Sequence, residues 1–379
     1  MKLAWTRHAA ALAMAAAAAG AHADITIGVN LSLTGPLSSL GLPQKASLAL
    51  WPQQIAGETV RMVVLDDASD PTGATRNARR FVTENKADVL LGPSGVPEGI
   101  AVAQVATEAK TVQLAFAPLP LPAGPQSWTF ALAQPVSLMS DALAHRMAAD
   151  KVRKVAFLGW NEGYGEMWLQ AFSASAKAAG MEVVATERFA PQDTTITAQA
   201  LKVLAGKPDA VLIVGAGSAA AMPQIALRER GWSGPIYQTH GAASPDLVRV
   251  GGKAMNGTVL PAGPMLVAEQ LPAASPIRPV AIAYVNAYEK GNGANSRTQF
   301  GAHAWDALML LQRTVPIALK KAKPGTQEFR QALRDALESE KEIALAHGVA
   351  NFTPADHNGF DKRAAVMLRI ADGRFELLP

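Results

Sequence analysis

The chain has 379 residues, with 35 lysines and arginines against 31 acids, no cysteine and 49% hydrophobic residues. Near-balanced charge excludes a polybasic footprint for nucleic acid or anionic lipid, and the missing cysteine excludes disulfides, thiolate metal sites and a cysteine nucleophile. This length and apolar content lead us to expect two domains, each with its own core.

Residues 1–23 read as a cleavable export signal. Lys2 and Arg7 make a short positive region, residues 9–20 are mostly alanine, and Ala21-His-Ala23 supplies small residues for cleavage. That apolar core is too short to span a bilayer, and no later segment approaches ~18 uninterrupted apolar residues. With no cysteine to carry a lipid, the expectation is a freely diffusing periplasmic monomer that is not itself embedded in a membrane.

The next segment, 25–31, is a β-branched run. It ends in a loop of Ser, Thr, Gly and Pro, and an apolar stretch with helical character follows. Strand, polar loop, helix is the unit of open parallel sheets, which take small molecules at the carboxyl ends of their strands. Further strands are predicted at 60–66, 89–92, 112–116, 155–160, 182–190, 210–214 and 236–239. Helices are predicted at 74–84, 99–109, 138–149, 167–178, 197–205 and 219–230. The alternation falls into two series, with loop and crossover read at 121–125 and 131–135. The segment 259–264 is read as a break in the pattern. Helices at 279–290 and 302–318 follow, then extended segments at 366–370 and 375–378 around Asp372-Gly373, a hairpin signal. The fold class is α/β, with two doubly wound parallel-sheet lobes.

Several motifs now carry a resemblance: Leu33-Thr-Gly-Pro36, Leu65-Asp-Asp-Ala-Ser-Asp-Pro71, Leu91-Gly-Pro-Ser94, Trp160-Asn-Glu-Gly-Tyr-Gly-Glu166, Ala226-Leu-Arg-Glu-Arg-Gly231, Tyr237-Gln-Thr-His-Gly241 and Gly301-Ala-His-Ala-Trp-Asp306. In order and spacing the chain resembles a type I periplasmic solute-binding protein of an ABC importer, of the branched-chain amino-acid or aromatic-acid group. The resemblance implies two lobes joined by three hinge crossovers near Gln134, Pro261 and Ala350. One lobe would hold residues 24–134 and 262–349, the other 135–261 and 350–379. It also implies a ligand in the cleft, an inner-membrane permease as partner, no cofactor and no catalysis.

Family members of the amino-acid-binding kind fix the ligand with Ser and Thr hydroxyls and backbone N–H groups on the loops after the fourth and fifth strands. In this chain the fourth loop offers Ser94 as a donor and the N–H of Gly95, but Val96 stands where the family places a hydroxyl. The fifth loop reads Phe116-Ala-Pro-Leu-Pro120, with Ala117 and Leu119 between prolines that lack an N–H. Exchanging donors for apolar surface disfavours a free ammonium, whose burial unpaired is costly. A carboxylate on an apolar or aromatic body is the expected ligand, and an apolar amino acid the alternative. From the second lobe Trp160 and Tyr164 are candidate stacking faces or lobe packing. His240 is a donor to a carboxylate or a structural histidine, and Gly217 lies on a cleft loop. Leu40 stands where relatives carry an aromatic wall. Trp305 and Asp306 read as hinge and packing residues.

Two patterns imitate other chemistry. Residues 210–220 copy a dinucleotide fingerprint, which would make the protein an NAD-dependent oxidoreductase, but no acid follows at the ribose position. Asp66, Asp67 and Asp70 invite a metal, yet Asp70-Pro71 is better read as a helix cap, and the histidines lack zinc spacing. A ligand-sensor module is a further alternative that shares the binding chemistry.

Overall fold

The computed structural model describes residues 24–121 and 127–379. The export-signal reading of residues 1–23 and most of the 121–125 loop lie outside the described residues. Strands β1 (Ile25–Leu31), β2 (Gln54–Ile55), β3 (Glu58–Asp66), β4 (Val89–Leu91), β5 (Val112–Ala115) and β6 (Thr129–Ala131) form one sheet in the order β2-β3-β1-β4-β5-β6. It is parallel except for the β2–β3 pair. Every residue of β1 is buried, as a strand covered on both faces requires.

The second sheet takes β7 (Lys154–Trp160), β8 (Glu182–Phe189), β9 (Ala210–Val214), β10 (Ile236–Gln238) and β11 (Val259–Ala262). After a short ribbon of β12 (Ile343–Ala344) and β13 (Val349–Ala350), it adds β14 (Val366–Ala371) and β15 (Arg374–Leu377). Its order is β15-β14-β11-β10-β9-β7-β8, with β11 to β8 parallel and the last hairpin antiparallel. The hairpin forms at Asp372-Gly373, and both residues take positive φ, the two left-handed positions of a type I′ turn.

Eleven α-helices cover the sheets among the described residues: α1 (Ser38–Leu48), α2 (Pro71–Thr83), α3 (Val96–Glu108), α4 (Val136–Ala149), α5 (Gly163–Ala178), α6 (Thr197–Ala205), α7 (Ala221–Glu229), α8 (Pro245–Gly251), α9 (Ile277–Asn292), α10 (Gln299–Leu319) and α11 (Gln327–Ser339). Ala307, Leu311 and Val315 of α10 and Phe329 and Leu333 of α11 join the core of the first sheet. Met139, Leu143 and Met147 of α4 and Trp168 and Phe172 of α5 join that of the second. Asp70 caps α2 by accepting the Gly73 N–H at 2.8 Å, with Pro71 in the first turn.

The break expected at 259–264 is instead a strand. β11 sits between β10 and β14, and Pro261 is tolerated because pairing with β10 is confined to Tyr237 and Val259. A proline that lacks an N–H therefore removes no bond from that ladder.

Candidate ligand-binding site

The carboxyl ends of the parallel strands converge on one cavity of about 300 Å³. Such a volume lies at the small end of ligand sites, which run from about 300 to 1,000 Å³, so it suits one small molecule. From the first sheet come Pro36, Leu37 and Leu40 around the start of α1, Ser94 to Glu98 after β4, and Phe116, Ala117 and Pro118 after β5. From the second come Trp160, Glu162 and Tyr164 after β7, Ala216 after β9, and His240 and Gly241 after β10. Gln299, Phe300 and His303 of α10 close it.

The structure thus gathers Leu40, Ser94, Gly95, Val96, Ala117, Trp160, Tyr164 and His240 around one space, and leaves two predicted residues outside its lining. Leu119 turns back onto its own layer, where a Cβ on Gly99 would stand 2.6 Å from its Cδ2. Gly217, at φ +56°, packs under Ser39 and Leu40: a Cβ there would stand 2.8 Å from Leu40 Cδ1. The loop that imitates a dinucleotide fingerprint is therefore covered by the start of α1. Its helix α7 starts only after an intervening 3₁₀ turn at Gly217–Ala220. The acids at 66 and 67 likewise serve the backbone. Asp66 Oδ1 accepts the N–H groups of Leu33 and Ala68, and Asp67 accepts that of Ser69. Among the described residues no group of three or more His, Asp or Glu side chains is arranged to hold a metal.

Roles within the cavity differ from the sequence reading in one respect. Ser94, expected to donate to ligand, gives its single proton to Gln44 Oε1 at 2.6 Å and accepts the Ser32 N–H at 3.2 Å. A hydroxyl has one hydrogen, so Ser94 braces α1 against the β4 loop. Tyr164 is similar. Its hydroxyl donates to Thr239 Oγ1 at 2.9 Å and accepts the Gly241 N–H at 3.0 Å, and burial pushes its pKa up. What Tyr164 offers is a ring, set edge-on to Trp160 at 6.3 Å and to His240 at 5.8 Å between centroids. Burial, then the proximity of His347, lowers the pKa of His240 to about 3. It is a neutral imidazole at any ordinary pH.

Sequence reasoning missed Glu98, Glu162, Gln299, Phe300 and His303 as cavity residues. Glu98 sits in the first turn of α3, where an acid is normally a dipole partner, and the α10 residues reach the site from some 60 positions beyond His240. Gln299 Nε2 donates to the His240 carbonyl, tying α10 to the second wall. His303 stacks between Phe116 at 6.4 Å and His347 at 4.3 Å, and burial holds its pKa well below the usual range. Asp306, buried on the same helix, accepts the N–H groups of Ala346 and His347 and bonds His347 Nδ1 at 2.8 Å. The Trp305 ring packs 6.0 Å from that of Tyr284.

Polar atoms without a protein partner concentrate here: Trp160 Nε1, His240 Nε2, both ring nitrogens of His303, Gln299 Oε1, Glu98 Oε2 and Glu162 Oε1. Each such atom costs about 1–3 kcal/mol if left unpaired. A cluster of them around an otherwise apolar cavity is a set of candidate partners for a small molecule. Among the described residues no lysine or arginine lines it. The arrangement can bind and enclose, but it brings no nucleophile, base and orienting acid together.

The chain has relatives among known proteins. Residues 24–374 match the family model described as periplasmic binding protein. An extracellular ligand-binding receptor from Rhodopseudomonas palustris HaA2 superimposes with a TM-score of 0.92 at 43% identity, over 94% of this chain and 100% of that one. A Leu/Ile/Val-binding protein homolog 3 from Brucella melitensis is 25% identical over 253 residues, 62% of this chain and 66% of the relative's length. An R. palustris ABC transporter solute-binding protein in complex with benzoate shares the fold, with a TM-score of 0.81 at 20% identity over 94% of this chain and 96% of that one. These are solute-binding proteins, not enzymes, and this chain belongs to the periplasmic binding protein family, with the type I fold.

Proposed function

We propose that the protein is the solute-capturing component of an ABC importer and that it closes two lobes around one small carboxylate with an aromatic or apolar body. The observation that carries this reading is the cavity lining. Trp160, Tyr164, Phe116 and Phe300 surround it with rings, and Leu37, Leu40 and Val96 add aliphatic surface. The anionic head would meet neutral donors: the indole N–H of Trp160, the imidazoles of His240 and His303, and the open N–H groups at the start of α3. A benzoate-bound protein of the same fold supports an aromatic acid such as a benzoate derivative or an aryl 2-oxo acid.

The lobes would hinge where the three crossings meet. Gln134 Nε2 donates to the carbonyls of His347 and Ala364 at 3.4 and 3.3 Å. A Cβ on Gly263 would stand 2.6 Å from Gln134 Nε2 and 2.7 Å from His347 Cδ2. This close packing supports crossings near 134, 261 and 350. Export to the periplasm by the N-terminal segment belongs to the same proposal.

A second reading, an apolar amino acid, is favoured by one observation: Glu98 and Glu162 present unpaired oxygens that an ammonium would satisfy. A thermal-shift panel of benzoate, benzoylformate, phenylpyruvate, leucine and phenylalanine separates the two. Ligand at about 100 times its Kd adds about 2.7 kcal/mol, a rise of several degrees. We expect the aromatic acids to respond; a response to leucine and phenylalanine alone selects the amino acid.

A further inference from the structure

The cavity is unbalanced in charge. Among the described residues two carboxyl groups line it, Glu98 and Glu162, and no lysine or arginine does. Glu98 is 2% exposed, and its Oε2 has no partner. As third residue of α3 it folds back over Gly95, so that a Cβ at position 95 would collide with that oxygen. Asp67 and Asp70 face it from the turn between β3 and α2, and Glu162 from the head of α5. Tyr164, His240 and His303 share its cavity, and burial keeps both histidines neutral. A carboxylate ligand would therefore enter a site that already holds two acids and no compensating cation. Like charges confined at low dielectric repel strongly.

On the first wall the Ser94 proton is held by Gln44 and the Ser69 proton by the Thr34 carbonyl. A protonated carboxyl has an O–H to give. From this geometry we infer that Glu98 enters the liganded site as a neutral carboxylic acid, so that capture of one carboxylate anion takes up one proton from solvent. The inference rests on the ligand being a monocarboxylate. Burial, with added repulsion from Asp67, Glu162 and Asp70, already raises the Glu98 pKa to about 7. A bound anion raises it further, and the proton is the cheapest available counter-charge.

The test is titration calorimetry of residues 24–379 with phenylpyruvate at pH 6, 7 and 8, in pairs of buffers that differ in ionisation enthalpy. The ligand carboxylate is ionised throughout this range. Close to one proton per ligand is expected at pH 8, and a Kd about tenfold weaker at pH 8 than at pH 6. In Glu98→Gln the proton uptake and the pH slope both disappear. The buffer dependence of the parent protein stands on its own should that variant fail to fold. Phenylpyruvate binding without proton uptake, or uptake that survives in Glu98→Gln, overturns the inference and leaves the proposed function standing. Binding of leucine with silence from phenylpyruvate and benzoate, or silence from all of them, overturns the proposed function and the inference with it.

Discussion

The two walls of the cavity are built on different principles. The wall from the first sheet is aliphatic and proline-rich, its Ser94 hydroxyl is committed to Gln44, and it carries an acid, Glu98, with no partner for Oε2. The wall from the second sheet is aromatic and braced from behind. Tyr164 is pinned by Thr239 and Gly241, and Trp168 lies 5.7 Å from the His240 ring. Rigid rings supply contact area at little entropic cost, whereas the acid makes the first wall sensitive to charge. On the proposed function, the second wall would provide grip and the first discrimination.

The largest break in that comparison is Trp160→Ala. Removing a 3% exposed indole costs about 3–5 kcal/mol of stability. On the proposed ligand it also raises Kd by about 100-fold, near 2.7 kcal/mol. Calorimetric unfolding and titration measure the two separately.

The walls also differ in how they respond to pH. Glu98 holds its proton up to about pH 7 in the folded state but releases it near 4.3 when unfolded. The folded state therefore binds more protons over that window, and stability falls by about 4 kcal/mol as pH rises through it. His240 has the opposite sign. Its folded pKa of about 3 lies below the unfolded value near 6.5, so the stability tied to its neutral form is lost as pH falls from about 6.5 to 3. Urea unfolding across pH should show Glu98→Gln flattening the upper limb and His240→Asn the lower. A Glu98→Gln profile that keeps the parent's fall between pH 4.5 and 7 would erase the contrast.

Ser94→Ala sharpens the comparison further. It strands Gln44 Oε1 and the Ser32 N–H, which are buried, and should cost about 1–3 kcal/mol of stability. If Kd changes more than stability does, Ser94 is a ligand donor after all. The smallest effect is expected for Tyr164→Phe. It keeps the ring and removes one buried hydroxyl, about 1 kcal/mol of stability, and its loss of affinity should fall well short of that in Tyr164→Ala.

How much of this was legible depends on range. Strands such as β1 and β9 announce themselves through β-branched runs, and Asp372-Gly373 announces a hairpin because few residues accept two positive φ values in succession. β11 is hidden by Pro261, since only its pairing shows that the proline removes no ladder bond. Helix α11 carried a signal that went unused: Thr326 before the helix, then Phe329, Leu333 and Leu337 at four-residue spacing. At the site, strand-end positions were readable because parallel sheets put ligands there. The occupation of Ser94 by Gln44, 50 residues away, was not, nor was the approach of His303 along α10. Both are settled by packing between segments with no common local pattern.

Gln134, Gly263 and His347 are knotted together, and His347 lies flat on His303, which forms part of the cavity floor. On the proposed hinge, axle and floor would be one piece of machinery: a rotation that parts the lobes would also tilt the His303 imidazole, so opening the cavity would loosen the seat of the proposed ligand in the same stroke.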